Sequence, residues 1–201
     1  MTTSMDRNTA LLLLDLQNDI VDPKGKVGQH GLAKAAAERG VLTNSAKILS
    51  AFRAKKLPVV FVRVGFRPDY ADALSVAPRV AKMKESGAVQ IGTWGTEIHP
   101  EVAPQPGELI ITKQCVNPFF STQLHAWLGR HQIRNLVLGG VATNLVVEAT
   151  TRYADDAGFA VTVLEDCCAG PSPELHAFAV EKILPMFGKV EKTDAYLARM
   201  A

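Results

Sequence analysis

The sequence predicts a doubly wound α/β domain, a parallel sheet covered by helices on both faces. Two observations predict it. Short runs rich in leucine, valine and isoleucine recur at 10–14, 58–64, 109–112, 136–138 and 159–164, and most lack polar alternation, which is how strands buried on both faces read. Stretches of helical period separate these runs, so strand and helix alternate along the chain. Crossovers of that kind are right-handed, and they put ligand sites beyond the carboxyl ends of the strands. The residues that follow each strand therefore carry the functional question.

The first strand, 10–14, runs straight into Asp15, Gln17, Asn18 and Asp19. Apolar surroundings raise the proton affinity of a carboxylate at such a strand end, which suits general acid or base work. Capping a turn through the side-chain oxygen is the plainer alternative. Gln17 is the next residue on the same face if the strand persists, placed to orient that carboxylate or a substrate. A helix follows with Leu42, Ile48, Leu49 and Phe52 in register after Thr43 and Ser45. Arg63 and Arg67, at and just beyond the second strand's end, are candidates for bidentate contact with a carboxylated substrate, or are simply solvated.

The segment 67–106 is long and holds Pro68, Pro78, Pro100, Pro104 and Pro106, with one helix expected near 75–86. Insertions of this length serve as lids or oligomer contacts. Within it, Trp94 lies beside glycines, where an aromatic either lines a pocket mouth or is buried under the loop. Glu97, His99 and Glu101 make a poor metal cluster, because Pro100 intervenes and no fourth spaced ligand is present.

The third strand ends at Thr112 and Lys113. A lysine there holds an anion or tunes a neighbouring group, unless it snorkels to water. Phe119 and Phe120 precede the helix-cap candidates Ser121 and Thr122 and are assigned to core or pocket wall. After the fourth strand come Gly139, Gly140, Val141, Ala142, Thr143 and Asn144, with a helix expected to start near Leu145. Strand, glycine turn and helix N-terminus together aim backbone N–H groups at one point, a site for an oxyanion or carboxylate, though paired glycines also serve close packing. The last helix is signalled by Ser172, Pro173 and Glu174 and continues through Leu175, Phe178, Ala179 and Ile183.

Composition narrows the functional classes. Of 201 residues, 22 are basic and 20 acidic, a net charge of +2 that gives no field for steering nucleic acid. A length of 201 residues fits one domain, 1–201, since about 100–200 residues per domain is the usual range. No apolar run approaches the roughly 20 residues needed to cross a bilayer, and the polar start, residues 1–8, is no signal-peptide core, so a cytoplasmic protein without membrane partners is expected. The three cysteines, Cys115, Cys167 and Cys168, suit neither a disulfide framework nor a spaced metal site. The five histidines show no i, i+4 pair, and no metal or other cofactor is expected.

Taken together, LLLLDLQND at 11–19, ITKQCVNPFFST at 111–122 and VLGGVATNLVVEATTRYADDAGF at 137–159 resemble the isochorismatase-like hydrolase superfamily, also called the cysteine hydrolases. VLEDCCAG at 163–170 and the EKILPMFGKV tail are similar to that family's last strands. The resemblance implies a three-layer, six-stranded, mostly parallel sheet in a homodimer or larger homo-oligomer. It also implies a small-molecule substrate, Asp15 and Lys113 at the catalytic positions, and a cis peptide at Val141-Ala142. The turn of Val141, Ala142 and Thr143 would then border the substrate. The family's G-V-x-T-x-x-C block places Val146 where its nucleophilic cysteine stands, and valine has no group that attacks a carbonyl.

Three readings stay open at this point. In the first, Asp15 acts as acid or base with Lys113 as its electrostatic partner, hydrolysing a vinyl ether or acting through water, as the resemblance to isochorismatases implies. Protonation of a vinyl carbon creates an electrophile that water attacks without a protein nucleophile. In the second, catalysis has lapsed and the pocket binds a small molecule or a partner protein. In the third, Cys115 or Cys168 is a relocated thiol, although buried cysteines mostly act as inert small hydrophobes.

Overall fold

The protein is represented by a computed structural model that describes residues 8–200. The polar start read from the sequence therefore lies outside the described residues except for Asn8. Six strands form one sheet: β1 (Thr9–Leu14), β2 (Val59–Val64), β3 (Leu109–Lys113), β4 (Asn135–Val141), β5 (Ala160–Ala169) and β6 (Lys189–Glu191). Their spatial order is β3-β2-β1-β4-β5-β6, and every neighbouring pair is parallel. Among the described residues the helices are α1 (Asn18–Val21), α2 (Leu32–Glu38), α3 (Val41–Ala54), α4 (Pro78–Ser86), α5 (Leu124–Arg130), α6 (Glu148–Asp156), α7 (Pro173–Phe178) and α8 (Thr193–Met200).

The all-apolar first strand sits at the centre because both of its faces are covered. Leu11 and Leu13 pack with Ile48, Leu49 and Phe52 of α3, whereas Ala10, Leu12 and Leu14 pack on the other side with Leu124 and Leu128 of α5. Side chains of a strand alternate between faces, so continuous leucine feeds two cores at once. In α3 the buried positions Val41, Ser45, Ile48, Leu49 and Phe52 follow the helical period that the sequence displays.

Strand order reverses between β1 and β4, the position at which an open α/β sheet leaves a crevice beyond its carboxyl ends. Close approach of those two strands depends on Gly140. A Cβ added there would lie 2.3 Å from the Leu14 carbonyl oxygen, and one at Gly139 would lie 2.7 Å from the Cys167 Cβ. These glycines are therefore inside β4 and serve strand packing, not the turn after a strand ending at 138. The turn itself begins at the cis Val141-Ala142 peptide, as expected from the resemblance.

Several other boundaries differ from the sequence reading. The helix expected from Leu145 is preceded by a π-helical turn, Thr143–Val147, before α6 proper. The helix expected at 75–86 starts at Pro78, whose fixed φ and missing N–H suit the first turn, and it ends at Gly87, which has φ +64°. Ser172 caps α7 by accepting from the Leu175 N–H, but α7 stops at Phe178 and gives way to a π-helical turn, Ala179–Ile183. β5 runs five residues past the expected 164, through the polar pair Glu165 and Asp166, and so contains both adjacent cysteines. No helix among the described residues is long and apolar enough to cross a membrane.

Candidate active site

Strand ends converge on one cleft whose empty space, about 570 Å³, includes open solvent at its mouth. Asp15 follows β1, Lys113 closes β3, and Val141 closes β4, with Ala142 and Val146 on the turn beyond; all five line the cleft. The remainder of the lining is largely aliphatic and aromatic, including Ile20, Val64, Phe66, Val80 and Met83.

Asp15 and Lys113 face each other in this apolar setting. Lys113 Nζ donates to Asp15 Oδ2 at 2.8 Å and to the Cys115 carbonyl at 3.0 Å. Asp15 is 5% and Lys113 2% exposed. The second carboxylate oxygen, Asp15 Oδ1, is buried and has no hydrogen-bond partner among the described residues. Burial pushes the Asp15 carboxyl above its ordinary 3.8, and the Lys113 ammonium opposes the rise without cancelling it. The Asp15 backbone is left-handed, φ 56°, a conformation rare outside glycine that aspartate tolerates better than most residues. Such local strain is often found at functional sites.

That backbone kink also explains why Gln17 is absent from the cleft. Alternation ends at Leu14, so counting two residues on from Asp15 fails. Gln17 is fully buried, with Oε1 accepting from the Val64 N–H at 2.8 Å and Nε2 donating to the carbonyls of Val64 and Gly95 at 2.9 and 3.2 Å. It ties the end of β2 to the long connection.

Other candidates named from the sequence also fall outside the cleft lining. Arg63 donates to Thr112 Oγ1 on the neighbouring strand and to the Thr96 carbonyl, both at 3.0 Å. Arg67 is exposed and pairs with Asp69 at 3.1 Å. Trp94 is exposed, and its carbonyl accepts from Asn18 Nδ2 at 2.9 Å. Phe119 stacks on Tyr153 with ring centroids 4.6 Å apart inside the α5-side core. Thr143 is buried, its hydroxyl 2.8 Å from His176 Nδ1. At the turn, the N–H groups of Leu145 and Val147 both donate to the Ala142 carbonyl, so those two donors are already used within the chain.

The cysteines are placed very differently from one another. Cys115 lines the cleft, but Sγ donates to the Asn117 carbonyl at 3.0 Å, and burial pushes the thiol up despite the nearby Lys113 charge. Cys168 does not follow β5 but lies within it, fully buried, with Sγ donating to the Leu164 carbonyl at 3.3 Å. Burial raises its pKa strongly, and Cys167 beside it is pushed up to about 12. His99 is committed to a local cap, Nδ1 accepting from the Glu101 N–H at 3.3 Å. No cluster of metal-binding side chains occurs among the described residues.

The one charged lining residue that the sequence reading passes over is Arg79, on the first turn of α4. Its signal is faint: a cation just after the helix-opening Pro78 in a long connection between two parallel strands.

A family model described as the isochorismatase domain matches residues 9–195. The isochorismatase family protein YecD of Escherichia coli O157:H7 is 33% identical over 195 residues, covering 95% of each chain. Ureidoacrylate amidohydrolase RutB of Rhizobium rhizogenes is 30% identical over 206 residues, covering 96% of this chain and 83% of the relative. Among solved structures, an isochorismatase-like hydrolase from Alkaliphilus metalliredigens superposes with a TM-score of 0.81 at 27% identity, covering 96% of this chain and 99% of that one.

Proposed function

The chain belongs to the isochorismatase family of hydrolases, and from that membership we propose that it hydrolyses a small molecule by acid catalysis at Asp15, without a covalent thioester step. The observation that carries the reading is the buried Asp15–Lys113 pair opening on an apolar cleft whose wall includes Val146. In this reading Val146 occupies the place of the family's cysteine, and its side chain has no electron pair to give a carbonyl.

An enol ether, R–O–C(=CH₂)–R′, is the substrate class that this equipment suits. Asp15 gives its proton to the terminal vinyl carbon, and the C=C electron pair forms the new C–H bond. The resulting oxocarbenium ion needs no protein nucleophile; water adds to it and returns a proton to the Asp15 carboxylate. The hemiketal then collapses to an alcohol, ROH, and a ketone, CH₃–CO–R′, which balances the uptake of one water. Burial favours the protonated starting acid, and Lys113 stabilises the carboxylate that the first transfer leaves behind. The unpartnered Oδ1 supports that oxygen as the one facing the substrate.

The amidohydrolase named in RutB suggests a second chemistry, which in this chain would need a relocated thiol; of Cys115 and Cys168, Cys115 is the one that lines the cleft. The raised thiol pKa and the Sγ contact with the Asn117 carbonyl weigh against it. Turnover of enol ethers, followed as ketone release, tests the proposal. Asp15→Asn should lose about 10³-fold or more in kcat, whereas the near-isosteric Cys115→Ser should keep most of the rate. Full activity in Asp15→Asn refutes acid catalysis at that residue, and loss of activity in Cys115→Ser as deep as that in Asp15→Asn favours the thiol.

A further inference from the structure

We propose that Arg79 makes this cleft selective for a small organic monoanion with an apolar body and one carboxylate; the inference rests on the cleft being the substrate site proposed above. Three charged side chains line the cleft: Asp15, Arg79 and Lys113. Two of them are spent on each other, since Lys113 Nζ lies 2.8 Å from Asp15 Oδ2. Arg79 is half-buried, and its guanidinium makes no hydrogen bond or ion pair among the described residues. Its charge nevertheless reaches into the cleft, where it favours the thiolate form of Cys115.

A guanidinium facing an apolar cleft has lost part of its water without gaining a partner, and its planar fork matches a carboxylate bidentately. Ligand charge is limited by the same inventory. With Asp15 ionised, a dianion such as a phosphate monoester would bring a second negative charge to a cleft whose other cation is already neutralised, and an uncompensated charge in apolar surroundings is costly. The preference against dianions therefore belongs to the pH range above the Asp15 pKa. A neutral ligand would leave the guanidinium unpaired. Arg79 stands on α4 with Val80 and Met83, which line the same cleft, while Asp15 stands just past the end of β1. An anchoring carboxylate and a reacting group at two ends of one ligand would thus meet different elements of the fold.

Titration calorimetry with benzoate, benzamide and phenyl phosphate tests the assignment without any need for turnover. Benzoate should bind about tenfold or more tightly than either analogue, and Arg79→Gln should erase that preference while Arg79→Lys keeps part of it. Wild-type protein at raised salt gives a reading free of any variant, because a charge-set preference weakens as ionic strength rises. Benzoate binding no tighter than benzamide, or a preference unchanged in Arg79→Gln or by salt, would overturn the assignment. Enol-ether turnover with no benzoate preference defeats this inference alone, whereas the preference without any turnover defeats the hydrolase reading alone.

Discussion

Ninety-eight residues separate Asp15 from Lys113 along the chain, yet their charged groups meet in a setting almost without water. Breaking a buried pair costs more than the pair itself is worth, because the survivor is left as an uncompensated charge. Lys113→Met should therefore destabilise the protein by about 3–5 kcal/mol at neutral pH in urea unfolding. The loss should shrink in acid. Without its cation, Asp15 has a folded pKa still further above its unfolded 3.8, so the folded variant binds more protons and its stability falls as pH rises through that window. A pH-independent loss would mean that the pair contributes by packing alone. Asp15 and Lys113 were legible in the sequence because each ends an apolar run, and Val146 only through the resemblance of its block to the family's. Gln17, Arg63 and Thr143 were not, since their polar atoms are claimed by Val64, Thr96 and His176, partners 33 to 47 residues away.

Element boundaries were harder to read than element identities. The strand runs at 10–14 and 58–64 announce themselves by hydrophobicity, but β5 continues through Glu165 and Asp166 because other elements satisfy those carboxylates. Arg39 pairs with Glu165, and the Thr193 N–H donates to Asp166 Oδ1 at 2.9 Å. Local composition carries no trace of such partners. The glycines of β4 make a sharp prediction: Gly140→Ala puts a methyl group 2.3 Å from the Leu14 carbonyl oxygen and should cost at least about 2 kcal/mol in urea unfolding. A neutral result would show that β1 and β4 can separate freely. The contact between α7 and the turn before α6 has its own pH signature. Burial, with the Arg39 charge, lowers His176 from 6.5 to about 4, so the unfolded chain takes up a proton that the folded chain refuses. The stabilisation is complete above pH 6.5 and is lost as pH falls toward 4. His176→Asn should flatten that part of the stability curve, and an unaltered slope would assign it to other groups.

At the scale of the molecule, one sheet divides two cores and gathers its strand ends at a crevice. Leu49→Ala and Leu128→Ala lie on opposite faces, so their losses of about 2–5 kcal/mol each should add to within about 0.5 kcal/mol. Strong coupling between them would mean that the sheet transmits repacking from one face to the other. The overall architecture was readable because a parallel sheet covered on both sides leaves its mark on every strand, and the crevice follows from the strand order. What the sequence did not display was the cleft's far wall, since α4 reaches it through a long connection whose path has no periodic signal. The pH dependence of kcat for enol-ether hydrolysis bears most directly on the central claim, that Asp15 works as a proton donor beside Lys113. The rate should be level in acid and fall about tenfold per pH unit above an Asp15 pKa higher than 3.8. A rate that instead climbs with pH toward the thiol range would contradict it.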